Sequence, residues 1–317
     1  MISKPRLSRS QLSVPATSLR FIEKAAASQA DVVFLDLEDS VAPDDKALAR
    51  ANAARAVGEF DWGRKTLSIR VNAWDTIWTY RDVIEVLGSA SDRLDLLMLP
   101  KVHRPADVHA LDALVTQVEA DLGRPRRIGL ELIIESAEGL MKVEAIAAAS
   151  PRIEALHYGP GDYAASTGAR TTAIGEGMAA YPGDPWHYPL SRLLVAGRAH
   201  GLRVLDGPWA AHSDLDGLAA AAARTAALGF DGKWAIHPGQ IDTINAAFSP
   251  PQAEIVQARR VIAAMKDAAQ SGRGAATLDG RMIDVASIRQ AEALLARLDP
   301  DPVPDETVCA ADGPGPG

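Results

Sequence analysis

The chain has 317 residues, 47% of them hydrophobic and 23% charged, enough for one large or two ordinary domains of a soluble globular protein. A net charge of −8 argues against a nucleic-acid surface. A single cysteine, Cys309, excludes an internal disulfide or cysteine-built metal site and fits a reducing, cytoplasmic setting, while no apolar signal core opens the chain and no run nears the roughly 20 apolar residues of a membrane span.

Strand-like and helix-like segments alternate along the chain. A short strand at Gln11–Val14 is followed by a helix over Thr17–Ser28. Asp31–Asp36 is rich in β-formers, and an Ala-rich helix at Asp44–Val57 follows, with Pro43 just ahead of it. Lys65–Val71 reads as a strand, Ile77–Gly88 as helix and Leu94–Leu99 as strand. A long amphipathic helix covers Pro105–Leu122. Arg127–Ile134 is an apolar strand followed by a helix at Ala137–Ala149. After a strand at Ile153–Tyr158 and an irregular segment, helix is expected at Tyr188–His200. The remaining units are Leu202–Leu205 with Leu215–Leu228, closed by Gly229, and Gly232–Ile236 with Gln240–Phe248.

Eight strand-then-helix units in about 240 residues match the count and length of a (β/α)8 barrel. An open doubly wound sheet would be expected to carry a glycine-rich phosphate turn early in the chain. The first candidate turn instead reads Pro15-Ala16-Thr17-Ser18. The predicted fold is therefore α/β, a TIM barrel with a C-terminal helical extension. Residues 9–250 form the catalytic barrel. Residues 251–298 form a lid or oligomerisation segment, and a tail at 299–317, dominated by Pro, Asp and Gly, is expected to be disordered. The polar, glycine-containing stretch 168–187 is long enough to be a lid or binding element.

In a barrel, residues just past the strands share one face. Those positions hold Asp36 with Glu38 and Asp39, Arg70 with Asn72, Lys101, Glu135, Asp162, Asp206 and His237. Glu135 and Asp162 follow consecutive strands, and two oxygen ligands with room for water and substrate suit Mg²⁺, with Mn²⁺ as a substitute. Taken singly, Glu135 also reads as a neighbour of a helix cap and Asp162 as a turn residue. An arginine inside a barrel strand must be paired. Arg70 is either a structural partner of Asp36 or Glu38, or a two-pronged clamp on a substrate carboxylate. Asp36, Glu38, Asn72, Lys101 and His237 are candidates for supporting the metal ligands from behind or for touching substrate. A lone histidine before proline, such as His237, is also a common structural residue.

Read together, six segments resemble the citrate lyase β-subunit-like superfamily, the HpcH/HpaI aldolase/citrate lyase group. They are Leu35-Asp36-Leu37-Glu38-Asp39-Ser40, Ser68-Ile69-Arg70-Val71-Asn72, Pro100-Lys101, Ile134-Glu135-Ser136-Ala137-Glu138-Gly139, Gly161-Asp162-Tyr163 and Lys233-Trp234-Ala235-Ile236-His237-Pro238. Asp61-Trp62-Gly63-Arg64-Lys65 and Gly280-Arg281-Met282-Ile283-Asp284 are similar to the malyl-CoA/β-methylmalyl-CoA lyases within it. The resemblance spans residues 9–298 and implies a Mg²⁺-dependent lyase cleaving malyl-CoA, β-methylmalyl-CoA or citramalyl-CoA to acetyl-CoA or propionyl-CoA and a 2-oxoacid such as glyoxylate. It also implies Glu135 and Asp162 as metal ligands, Arg70 and Asp284 as catalytic residues, and a homo-trimer or hexamer in which Asp284 serves a neighbouring subunit. Where the family's first loop carries a glycine and an arginine, this chain has Ala16 and Ser18, with Arg20 two residues on. Two alternatives stand beside the lyase. One is a malyl-CoA thioesterase on the same barrel. The other is a citrate lyase β-type subunit acting on an acyl-carrier-protein thioester.

Overall fold

The computed structural model describes residues 6–298 except 91, 172 and 178–180, so the tail expected at 299–317 and Cys309 lie outside the described residues. Eight strands close into a barrel in sequence order: β1 Ser10–Pro15, β2 Val32–Asp36, β3 Thr66–Arg70, β4 Leu96–Leu99, β5 Gly129–Ile134, β6 Ile153–Tyr158, β7 Arg203–Asp206 and β8 Gly232–Ala235. Every neighbouring pair is parallel, and β1 closes on β8. The predicted (β/α)8 barrel is therefore present.

The helices around it are α1 Leu19–Ala26, α2 Lys46–Glu59, α3 Thr79–Ser89, α4 Pro105–Leu122, α5 Ala137–Met141, α6 Val143–Ala147, α7 Pro160–Thr167, α8 His187–Ala199, α9 Leu215–Leu228 and α10 Ile241–Phe248. Local chemistry sets their ends. Pro105 starts α4 with its φ already helical, and Asp107 Oδ2 accepts from the His103 and Arg104 backbone N–H groups. Gly123, at φ 62°, ends that helix in the left-handed region. The helix expected over Ala137–Ala149 is instead two short helices, because Lys142 at φ −112° and ψ 10° leaves helical geometry.

Strand alternation divides the core in two. Val33 and Leu35 join the large cluster between sheet and helices. Phe34, between them, belongs with Met98, Ile133 and Trp234 to a separate cluster filling the barrel interior. Among the described residues, no helix is long and apolar enough to cross a membrane.

The chain divides into two compact units, the first ending at Phe248. The second contains α11 Gln252–Gln270, a hairpin of β9 Ala276–Leu278 and β10 Arg281–Ile283, and α12 Val285–Leu295 packed on α11. Asp279 and Gly280 join the hairpin strands with φ of 49° and 75°. Both values are positive, as an Asp-Gly hairpin turn requires. The carboxylate of Asp279 is held by Arg260 at 2.7 Å.

Candidate active site

Glu135 stands one residue past β5 and is buried. Its Oε1 accepts the backbone N–H of Lys101 at 2.7 Å. That N–H is aimed by an unusual backbone, since Lys101 has φ 52° although it is not glycine. Behind the carboxylate lies Gly159, where a β-carbon would collide with Glu135 Oε2. Burial, and then the negative charge of Asp162, push the Glu135 pKa up to about 8. Asp162 lies in the first turn of α7 and is exposed. Two carboxylates that repel each other at adjacent strand ends, one buried and one open to solvent, fit a hard divalent cation. Among the described residues no three His, Cys, Asp or Glu side chains form a ready-made cage, so water and substrate oxygens would complete the shell.

Arg70, at the end of β3, is buried beside this pair. Its Nε and Nη2 donate to Asp36 Oδ1 and Oδ2, both at 2.7 Å, and Nη1 lies 3.0 Å from Glu38 Oε2. The fork is thus engaged with Asp36, and only the outer N–H groups remain for a ligand. Burial alone would raise the pKa of Asp36. Arg70, Ser40 and the Glu38 backbone N–H together hold it below the usual carboxylate range. With both oxygens occupied, Asp36 supports Arg70 rather than a ligand. Burial raises the pKa of Glu38, opposed by Arg70 and Lys101. Lys101 Nζ lies 2.7 Å from Glu38 Oε1 and 3.3 Å from Asp39 Oδ1, so Lys101 touches three carboxylates, two through its side chain and Glu135 through its backbone.

A further layer lies behind Glu38. Lys46 Nζ donates to the carbonyls of Leu37 and Glu38 and to Asn72 Oδ1 at 2.7–2.8 Å. Asn72 donates through its backbone and side chain to Asp82, which Arg50 also holds. Asn72 is therefore a brace between loops. Sequence reasoning missed Lys46 and Asp82. Each sits in a polar helical stretch, where a charged residue ordinarily reads as a solvated face.

The first loop is fixed in a similar way. Ala16 is buried, Asn52 Nδ2 donates to the carbonyls of Ala16 and Thr17, and Ser18 caps α1. Arg20 is exposed on that helix. In the segment 168–187, Trp186 packs on Tyr158 and Tyr163, and Asp184 pairs with Arg224 at 3.1 Å.

Two polar residues of the first unit do not join this cluster. Asp206 was expected on the shared face. It pairs with Lys233 at 2.6 Å beside a cavity of about 10 Å³ lined by Tyr158, Trp186, Leu190 and Ala221, on the helix side of the barrel wall. His237 is exposed beyond β8. It accepts from the Gly239 backbone and lies against His212 with ring centroids 5.3 Å apart. Asp284 belongs to the second unit, where its Oδ1 caps α12 by accepting from Ala286 and Ser287.

Residues 9–238 match the family described as HpcH/HpaI aldolase/citrate lyase. The L-malyl-CoA/β-methylmalyl-CoA lyase of Rhodobacter capsulatus is 48% identical over 93% of this chain and 95% of its own length. The (3S)-malyl-CoA thioesterase of Cereibacter sphaeroides is 36% identical over 92% and 94%. Among solved structures, protein CitE of Mycobacterium tuberculosis, in complex with magnesium, acetoacetate and coenzyme A, is 32% identical. It aligns with a TM-score of 0.73 over 92% of this chain and 98% of that one.

Proposed function

The chain belongs to the HpcH/HpaI aldolase/citrate lyase family, and from that premise we propose that it is a Mg²⁺-dependent carbon–carbon lyase acting on malyl-CoA or β-methylmalyl-CoA. The observation that carries this reading is the Glu135–Asp162 pair beside Arg70, in a chain 48% identical over 93% of its length to an L-malyl-CoA/β-methylmalyl-CoA lyase.

Cleavage breaks the bond between C2 and C3 of the thioester. The C3 hydroxyl loses its proton and becomes the carbonyl of the 2-oxoacid. The electron pair of the broken bond passes to a thioester enolate, whose carbon then takes up a proton. Glu135 and Asp162 would hold the metal, which when bound supplies Lewis-acid polarisation and orientation of the 2-oxoacid oxygens. Arg70 presents its outer N–H groups to the enolate oxygen, where preorganised positive charge lowers the barrier most. Asp36 and Glu38 keep that guanidinium from swinging away, and Lys101 keeps Glu135 from turning into the wall.

Asp284 is assigned as the acid that protonates the enolate carbon, supplied by a neighbouring copy in a homo-trimer or hexamer. Two features support this. All described hydrogen bonds of its carboxylate go to Oδ1, which leaves Oδ2 for chemistry. Its neighbours Met282 and Val285 are 75% and 53% exposed, an apolar strip suited to burial against another chain. A cytoplasmic setting belongs to the same proposal.

A thioesterase is the second reading, favoured by the 36% identity to a (3S)-malyl-CoA thioesterase. One assay separates the two. Malyl-CoA, β-methylmalyl-CoA and citramalyl-CoA are supplied separately, and free CoA, acyl-CoA and 2-oxoacid are all quantified. The lyase produces acyl-CoA and 2-oxoacid in equal amounts, with no early release of free CoA. Free CoA without 2-oxoacid would replace the lyase by the thioesterase.

A further inference from the structure

Beneath the carboxylates, the barrel interior holds a polar pair for which the reaction has no direct use. Glu131 on β5 and His157 on β6 are both fully buried. Glu131 Oε1 lies 3.4 Å from His157 Nε2, and it also receives Gln11 Nε2 at 3.2 Å. On its other side, His157 Nδ1 accepts the indole N–H of Trp234 at 2.8 Å. A ring nitrogen that accepts carries no proton. This bond therefore places the imidazole proton on Nε2, facing Glu131.

Trp234 leads back to the reaction site. Its ring packs on Phe34 with centroids 4.6 Å apart. The Arg70 guanidinium carbon lies 5.6 Å from the Trp234 ring centre and 5.9 Å from that of Phe34. Asp36 fixes the guanidinium by hydrogen bonds in its own plane. The two rings form the floor that limits how that plane can tilt. A phenylalanine would fill the same floor with no polar partner. Burying a carboxylate and an imidazole is costly, and Arg203 Nη2, 3.7 Å from Glu131 Oε1, offsets part of the cost. What the chain adds over an apolar floor is direction, since a hydrogen-bonded indole cannot pivot.

We propose that Glu131 and His157 are positioning residues for Arg70, locking the Trp234 indole so that the guanidinium presents its outer N–H groups in one orientation. The inference rests on the reading of Arg70 as the group that meets the enolate oxygen.

The test uses His157→Leu, which removes both ring nitrogens, and His157→Gln, whose amide offers an acceptor and a donor. Two nitrogen-15 resonances are followed in the full chain, the Trp234 indole and Arg70 Nε–H, assigned by their loss in Trp234→Phe and Arg70→Lys. In His157→Leu both resonances are expected to move. The malyl-CoA kcat is expected to fall at least tenfold, with KM changed less than threefold. His157→Gln is expected to recover at least a third of the activity and most of the indole shift. If His157→Leu does not fold, Trp234→Phe keeps a ring beneath Arg70 without the N–H and must still move the Arg70 resonance. An Arg70 resonance that stays in place in the folded variants overturns the proposal, as does a wild-type kcat in His157→Leu. If the wild-type protein cleaves none of the thioesters, the proposed function fails, while the two resonances still decide whether His157 positions Arg70.

Discussion

The backbone N–H of Lys101, held at φ 52°, donates to Glu135 Oε1 at 2.7 Å, so the end of β4 aims the carboxylate at the end of β5. A non-glycine residue in the left-handed region costs of order 1–3 kcal/mol and persists only where its surroundings impose it. Here the side chain of the same residue is tied to Glu38. One residue thus couples the proposed metal ligand to the support of Arg70.

The raised pKa of Glu135 gives a pH signature. Without metal, the folded protein keeps a proton on Glu135 up to about 8, whereas the unfolded chain releases it near the ordinary 4.5. Its stabilising contribution is therefore complete below about 4.5 and is lost as pH rises towards about 8, at up to about 1.4 kcal/mol per pH unit. Denaturant unfolding of the metal-free protein should show this slope. It should be absent in Glu135→Gln and flattened in the wild type by saturating Mg²⁺. Parallel slopes in all three samples would refute the assignment.

Gly159→Ala introduces a β-carbon into Glu135 Oε2. The carboxylate must rotate or the β6 end must shift. Mg²⁺ affinity, read by titration calorimetry, is expected to fall tenfold or more, with a smaller loss of global stability. Unchanged Mg²⁺ binding would show that Glu135 is not a ligand or that the strand end yields freely.

Asp36→Asn should leave a buried guanidinium half-satisfied. Breaking a buried pair costs about 3–5 kcal/mol, and the loss should appear in urea unfolding. Arg70→Lys should lose most activity despite its retained charge, because an ammonium cannot hold both oxygens of Asp36. A near wild-type turnover in Arg70→Lys would reduce Arg70 to a structural partner.

Asp284 combines a helix cap with the proposed acid, and two variants separate the roles. Asparagine caps a helix as well as aspartate, whereas alanine costs about 1 kcal/mol. Asp284→Ala should lose both local stability and activity, and Asp284→Asn activity alone. Mixed oligomers reassembled from Asp284→Ala and Arg70→Lys proteins should regain part of the activity if the acid crosses between subunits. Absence of recovery would assign it to its own chain or to capping only.

The sequence by itself determined the eight alternating units, the parallel barrel and the collection of polar residues after its strands. Glu135 was legible because a run of apolar residues ends abruptly in a carboxylate, and Arg70 because a buried guanidinium demands partners. Which partner it takes was left open, and the folded chain gives both Asp36 and Glu38. The direction each side chain points was decided only by tertiary structure. In a parallel barrel both strand faces are apolar, so alternation does not reveal which face is inside. Ile133 and Leu132 read alike, yet one fills the barrel and the other packs under the helices. Asp206 does stand at the end of β7, but its side chain turns to Lys233 on the helix side of the wall, which the strand-end position did not reveal. His237 does follow β8, which ends at Ala235, but the turn after the strand leaves the histidine exposed to solvent. Lys46, Asp82 and the Glu131–His157–Trp234 chain stayed hidden because each has a partner on a distant element, Asn72 26 residues from Lys46, Arg50 32 from Asp82 and Trp234 77 from His157, and only the folded barrel brings such groups within hydrogen-bonding distance.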